Sequence, residues 1–108
     1  MYNKVIEILN KAVVKNIRVY DMKAITPFYD YSIICSVNTG RQGSAAVTYL
    51  KKEAEAMGFI LRSASGSTES TWFLVDLNDI VVHIFVGDAR ERYNLDGMYG
   101  EYCIENRE

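Results

Sequence analysis

The hydrophobic pattern of residues 72–86 predicts a β-hairpin. Its β-branched and aromatic residues flank Asn78-Asp79, a pair that favours a tight turn. A two-residue turn would place three apolar pairs opposite one another: Phe73 with Ile84, Val75 with Val82, and Leu77 with Ile80. One face of the hairpin is then wholly apolar and consists of Phe73, Val75, Leu77, Ile80, Val82, Ile84 and Val86. The other face carries Trp72, Leu74, Asp76, Val81, His83 and Phe85. Aromatic and aliphatic side chains with one carboxylate and one imidazole are unusual on a face turned to solvent, so we interpret this face as a docking surface.

Periodicity and capping residues predict most of the other elements. Thr39 and Gln42 match a capping box at the start of a long helix, and Gly58 would end that helix. Asp88 would begin a short helix that Gly97 ends. The remaining predictions are a helix at 3–15, strands at 17–22, 30–36 and 59–62, and a polar loop at 63–71. Residues 98–108 have weak periodicity and are assigned no element.

The order of these elements predicts one α/β (α+β) domain over residues 1–108. The long helix between two strands permits a parallel crossover, whereas the final hairpin is antiparallel. We therefore expect a mixed sheet of about five strands with helices mainly on one face. No further amphipathic helix remains to cover the second face of the hairpin, so that face is expected to be bare.

Composition and charge limit the functional classes. Hydrophobic residues make up 49% of the 108 residues and no apolar run approaches the ~20 residues of a membrane span, so a globular protein away from membranes is expected. One His and two distant Cys argue against a zinc site or a disulfide scaffold and favour a reducing cytoplasm. Residues 63–108 contain nine acidic and three basic residues, which favours a basic partner over nucleic acid. An ordinary solvated surface is the alternative explanation of that charge.

Motifs spread over residues 3–99 resemble the ribosomal silencing factor family, whose members are also called YbeB and Iojap. The most specific part is a Trp-x-x-x-Asp-x-x-Asp-x-Val-Val-His-x-Phe element at residues 72–85. The other matching positions, in order, are Asp30-Tyr31, Ser36, Arg41-Gln42, Gly58, Arg90, Tyr93 and Leu95. Departures from the usual pattern include Ser65, Asn78 and Gly97.

The resemblance implies a translation repressor with a nucleotidyltransferase-like fold that lacks catalytic residues. Its implied partner is the large ribosomal subunit, bound through the basic ribosomal protein L-fourteen, and binding there would block joining of the small subunit. Organellar relatives are linked to large-subunit assembly, so an assembly factor that uses the same surface is an alternative. A bare Trp and Phe face could also pair with a second copy of the chain as a homodimer.

Seven residues are the candidates for partner contact: Trp72, Asp76, Asp79, His83, Phe85, Arg90 and Tyr93. Trp72 is the expected anchor, because Trp is enriched among residues that dominate binding energy, although it could instead cap the sheet edge. Asp76 and Asp79 could pair with Lys or Arg of the partner, and Asp79 could equally serve only the turn. His83 is expected to hydrogen-bond Asp76 and to orient it. Arg90 and Tyr93 share one side of the short helix and could flank the surface.

The sequence does not favour an enzyme. Nucleotidyl transfer needs a Gly-Ser phosphate cradle followed by two carboxylates one residue apart on a strand. Gly43-Ser44 lies inside the predicted helix, and the strand at 59–62 has no carboxylate. We therefore predict no catalytic residue, no metal and no cofactor, and a nucleotide-binding or nucleotidyltransferase-like activity is the less favoured alternative.

Overall fold

The computed structural model describes residues 2–107, which form a single mixed sheet with helices on both faces. The helices are α1 (Tyr2–Lys11), α2 (Gly40–Ala56), α3 (Ala89–Tyr93) and α4 (Leu95–Met98), followed by a 3-10 helix at Gly100–Tyr102. The strands are β1 (Lys15–Asp21), β2 (Tyr31–Val37), β3 (Ser63–Ser65), β4 (Trp72–Asp76), β5 (Ile80–Val86) and β6 (Cys103–Arg107). The predicted fold class is confirmed, with six strands where about five were expected.

The strands lie in the order β3-β4-β5-β2-β1-β6. β2 and β5 at the centre are parallel, and every other neighbouring pair is antiparallel. The predicted hairpin is β4–β5, and its register pairs Phe73 with Ile84 and Val75 with Val82 as expected. Asn78 has a φ of 76°, a left-handed conformation that Asn tolerates, so the turn forms without Gly.

Helices α1 and α2 cover one face of the sheet, called here the inner face. Their apolar residues, including Leu9 and Leu50, pack with the apolar face of the hairpin in one continuous core. Phe73 is fully buried there, and a Cβ atom added to Gly43 would lie 2.3 Å from its ring. The close approach of α2 to β4 therefore depends on glycine at position 43.

The opposite, outer face is only partly covered, and its covering corrects one prediction. Helices α3 and α4 pack Ala89 and Leu95 against Tyr20, Ile34 and Phe85, which lie on β1, β2 and β5. A short helix was predicted in this region, but helices with few apolar residues give no periodic signal that shows which face of the sheet they cover. The outer face of the hairpin is thus covered at β5 and open at β4.

Several element boundaries differ from the prediction. Thr39 caps α2 as expected, since its hydroxyl accepts a hydrogen bond from the Gln42 amide at 3.1 Å.

Residues 59–62 were predicted as a strand, which is wrong, because Ser63 already pairs with Asp76 at the end of β4. Arg62 still donates its backbone amide to the Asp76 carbonyl at 2.8 Å, but residues 59–62 form no strand. Asn94, with a φ of 53°, ends α3, so that Gly97 lies within α4 rather than ending the short helix.

Candidate docking surface

The open part of the outer face is formed by β3, β4 and one side chain of α3. Alternation along β4 turns Trp72, Leu74 and Asp76 outwards, while Phe73 and Val75 are fully buried in the inner core. Ser65 of β3 lies beside Leu74, and these two residues line a shallow cavity of about 330 Å³ together with Trp72. We call this surface, with Tyr93 of α3, the tryptophan face; its residues are Ser65, Trp72, Leu74, Asp76 and Tyr93.

Trp72 is held in one orientation by its neighbours. Its indole Nε1 donates a hydrogen bond to Nδ1 of His83 at 3.1 Å. Its ring lies 4.7 Å from the ring of Tyr93 and 5.0 Å from that of Phe85, measured between centroids. Aromatic contacts at these distances are favourable. The side chain is thus half-buried on a rigid aromatic support and keeps an exposed portion.

His83 supports Trp72 from below and is itself buried. It is 6% exposed, and burial lowers its pKa to about 4. The imidazole is therefore neutral at physiological pH, and since Nδ1 accepts from Trp72, its proton lies on Nε2. The predicted hydrogen bond to Asp76 is wrong: the Oδ1 atom of Asp76 accepts instead from the backbone amide of Asn78 at 2.9 Å.

Phe85 is also a supporting residue. It is fully buried, in contact with Trp72 on one side and within 6.0 Å of the Tyr93 ring centroid. Its predicted exposure is wrong, because α3 folds back over the end of β5 and covers it. Tyr93 itself is 48% exposed and extends the surface that Trp72 begins.

The two acidic residues of the hairpin face different surroundings. Asp76 is half-buried at the end of β4 on the tryptophan face. Asp79 is exposed and lines a different cavity with Lys4 and Ile60, beside the helices of the inner face. The turn separates the two carboxylates, so they do not form one acidic site.

Arg90 was predicted to flank the docking surface, but its guanidinium is turned towards β1 and β2. It donates to Asp96 at 2.8 Å, to the Asn16 carbonyl at 2.6 Å and to the Ser36 hydroxyl at 2.9 Å. Tyr20 donates to the same carboxylate at 2.5 Å. Burial and the Asp96 carboxylate raise the pKa of Tyr20 to about 12. Burial acts to raise the pKa of Asp96, but hydrogen bonds from Arg90 and Tyr20 outweigh it and hold that pKa below its usual value.

This network is the feature that sequence reasoning missed. It fastens α3 and α4 to the sheet and thereby fixes the position of Tyr93. Its members lie far apart in the sequence, and a Tyr, an Arg and an Asp at such spacing form no recognisable motif.

The tryptophan face has the chemistry of a binding surface. It combines aromatic and aliphatic area with one carboxylate, and its buried support leaves it little freedom to rearrange. Within residues 2–107 there is no group of three or more His, Cys, Asp or Glu side chains placed to hold a metal ion. No helix in that range is long and apolar enough to span a bilayer.

Sequence comparison identifies the family. The model of the family described as "Ribosomal silencing factor during starvation" matches residues 1–108. The chain belongs to the ribosomal silencing factor family. It is similar to the Bacillus subtilis protein "Ribosomal silencing factor RsfS", with 37% identity over 87 residues that cover 81% of this chain and 74% of that protein. The resemblance predicted from the sequence motifs is therefore confirmed.

Two solved structures share the fold of this chain. A crystal structure of a Bacillus halodurans protein matches with a TM-score of 0.82 and 29% identity, covering 95% of this chain and 94% of that chain. A Chromobacterium violaceum crystal structure matches with a TM-score of 0.85 at 24% identity, covering 91% and 82% respectively, and supports the fold. The sheet and helices described above are thus also present in these two solved structures.

Proposed function

We propose that this protein represses translation by binding the large ribosomal subunit through the basic ribosomal protein L-fourteen. The tryptophan face would be the contact surface, and the bound protein would occupy the place where the small subunit joins. The observation that carries the proposal is the half-buried pair Trp72 and Leu74, turned outwards on a buried support, in a chain of the ribosomal silencing factor family. The activity belongs to the cytoplasm, where subunits join.

Apolar contact would supply most of the affinity. Burying apolar surface gains about 25 cal/mol per Å² before the costs of association are subtracted. The Trp72 indole N–H already has His83 as its acceptor, so a partner can cover the ring without leaving that donor unpaired. The cavity beside Leu74 and Ser65 could receive an apolar side chain of the partner.

Charge would orient the partner. Asp76 lies at one end of the tryptophan face, and a carboxylate with one hydrogen bond from Asn78 can still accept others from Lys or Arg. The acidic excess of residues 63–108 would attract a basic protein over a longer range. Asp79, which lies off this face, is not part of the revised contact surface.

The proposed mechanism is steric and involves no catalytic step. His83, the only histidine of the chain, is neutral and occupied by Trp72, so it does not resemble a general base poised near neutral pH. A protein that occupies the joining surface needs only affinity, and the tryptophan face offers that.

Recovery of large subunits on the immobilised protein tests the proposal. We expect Asp76→Lys to reduce recovery at least about tenfold, because a like charge would then face the basic partner. Glu55→Lys is the matched control, since Glu55 is exposed on α2 and the charge change is the same. A subunit-joining assay with the same variants tests the steric mechanism. Equal recovery with both variants would exclude the tryptophan face as the contact surface.

A further inference from the structure

Within residues 2–107 the sheet ends in two edge strands, β3 and β6, which differ in their protection. β6 carries Glu105 and Arg107, and charged residues on an edge strand discourage pairing with another chain. β3 has the sequence Ser-Ala-Ser, without charge or proline. It also borders the tryptophan face, whereas β6 lies at the far side of the sheet. The edge beside the candidate docking surface is therefore the less protected one.

The hydrogen-bond ladder of the hairpin determines which backbone groups of β3 face outwards. Hydrogen-bonded and non-hydrogen-bonded pairs alternate along antiparallel strands. At one end of the hairpin the Leu77 amide donates to the Ile80 carbonyl at 2.8 Å. At the other end the Val86 amide donates to the Thr71 carbonyl at 2.9 Å. The odd-numbered residues of β4 thus bond to β5, and its even-numbered residues turn their N–H and C=O groups towards β3.

Ala64 is the β3 residue whose backbone groups point away from the sheet. The even-numbered residues Leu74 and Asp76 pair with Ser65 and Ser63 respectively, so these two serines bond to β4. Ala64 lies between them, and alternation turns its N–H and C=O groups to the outside. The strand order ends at β3, so no other strand of residues 2–107 takes up this donor and acceptor. An extended backbone of another molecule is what such a pair of groups fits.

The side chains beside this edge indicate what an added strand should carry. A partner residue opposite Ala64 would point to the inner face, and its two neighbours would point to the outer face. One neighbour would lie beside Ser65, whose small side chain leaves access to the cavity of about 330 Å³ on the tryptophan face. The other would lie beside Ser63 and within reach of Asp76, the residue that pairs with it. The first position suits an apolar side chain, and the second suits a lysine or arginine.

We propose that the partner of the tryptophan face adds a β-strand to β3, with an apolar and a basic residue two positions apart on that strand. Strand addition rests on the proposed function, because it specifies how the basic large-subunit protein would be held. Backbone hydrogen bonds at Ala64 would fix the register, and the alternate side chains would provide selectivity. The sheet would then continue into the partner, whose neighbouring surface would cover Trp72 and Leu74.

A second copy of the chain fits this edge less well than a basic partner does. Two β3 strands would meet through three small residues each, which bury little area compared with the roughly 1,200–2,000 Å² of a stable interface. They would also bring two acidic halves together, since residues 63–108 contain nine acidic and three basic residues.

Amide hydrogen exchange, resolved by NMR, tests the role of the outward N–H group. The sample is the wild-type chain, free and bound to purified ribosomal protein L-fourteen. We expect the Ala64 amide to exchange at least about tenfold more slowly in the complex, and the amides of β6 to be unaffected. Unchanged exchange at Ala64, in a complex that shifts the Trp72 indole signal, would overturn strand addition but not the proposed function. Absence of any shift at Trp72 would contradict both.

Proline at position 64 tests the same group in large subunits. Ala64→Pro removes the outward N–H but no hydrogen bond to β4, and edge strands accept proline at such positions. We expect it to reduce recovery of large subunits at least about tenfold, whereas Ala64→Ser, which keeps the N–H, should bind like the wild type. Unchanged unfolding midpoints check that both variants fold, and the exchange measurement does not depend on either.

Comparison with Asp76→Lys separates the two proposals. Normal recovery with Ala64→Pro, when Asp76→Lys loses binding, would overturn strand addition and leave the tryptophan face as the contact surface. Normal recovery with both variants would contradict the contact surface itself. Light scattering tests the remaining occupant: a doubled mass of the wild type that Ala64→Pro returns to a single chain would assign the edge to a second copy and overturn the proposal.

Discussion

His83 and Trp72 illustrate how one buried pair supports an exposed surface. The imidazole serves only as an acceptor for the indole N–H, and burial keeps it neutral. Because His83 is the only histidine, no other imidazole titrates between pH 4 and 7. The stability of the protein should therefore report directly on this residue.

We expect the protein to lose stability as the pH falls below 6.5. The pKa of His83 is about 4 in the folded state and 6.5 when unfolded, so the unfolded chain binds the proton first. The free energy of unfolding is highest above pH 6.5, where His83 is neutral in both states, and it falls progressively as the pH approaches 4. Between pH 7.5 and pH 5 the free energy of unfolding should fall by about 2 kcal/mol. Urea unfolding at the two pH values measures this, and His83→Gln should remove most of the dependence. An equal pH dependence in that variant would refute the assignment.

At the residue scale, the sequence predicted which side chains share the outer face of the hairpin but not which are exposed. Trp72, Asp76 and Tyr93 lie on the tryptophan face as expected, whereas Phe85 and His83 lie beneath it. Strand alternation fixes the direction of a side chain, but exposure depends on what packs above it. Here that layer is made by residues 89–99, whose short helices have no clear period.

At the scale of elements, α3 and α4 are small, and one ion pair contributes to their attachment to the sheet. The side chains of Arg90 and Asp96 are 11% and 18% exposed, so their contact is far less screened than a surface pair. The same carboxylate accepts from Tyr20 on β1. Helices α3 and α4 are therefore attached to the sheet by polar contacts as well as by the packing of Leu95.

We expect Asp96→Asn to lower the free energy of unfolding by about 2–3 kcal/mol, because Arg90 would keep its charge in a partly buried site without a counter-ion. Chemical unfolding measures the loss. Asp88→Asn is the matched control: it removes the exposed ion pair of Asp88 with Arg92, and its effect should be too small to resolve. If both variants unfold alike, the network does not hold the helices.

Elements with local signals were predicted well, and elements that need distant partners were not. The hairpin and α2 carry a turn pair, a capping residue and a terminal glycine within their own sequence, and all three signals are confirmed. β3 has three residues, and β6 has the mixed sequence Cys103–Arg107, with one aliphatic residue. Each becomes a strand because an unpaired edge of β4 or β1 is available, which no local pattern reports.

At the scale of the molecule, β6 completes the sheet by pairing with β1. Without it, β1 would present an open edge whose backbone donors and acceptors could pair with another chain. Replacing residues 103–107 with a Gly-Ser segment of equal length should lower the free energy of unfolding by several kcal/mol and promote self-association. Urea unfolding and light scattering during size-exclusion chromatography measure the two effects. An unchanged mass and an unchanged unfolding midpoint would show that β6 is dispensable.

The pairing of Ile17 with Arg107 also bears on how quickly the chain acquires its native structure. β1 and β6 are the first and last strands of residues 2–107, and closing so long a loop lowers the folding rate more than it lowers the stability. The local β4–β5 hairpin can form within microseconds, whereas closure of the far edge should be the slow phase of refolding.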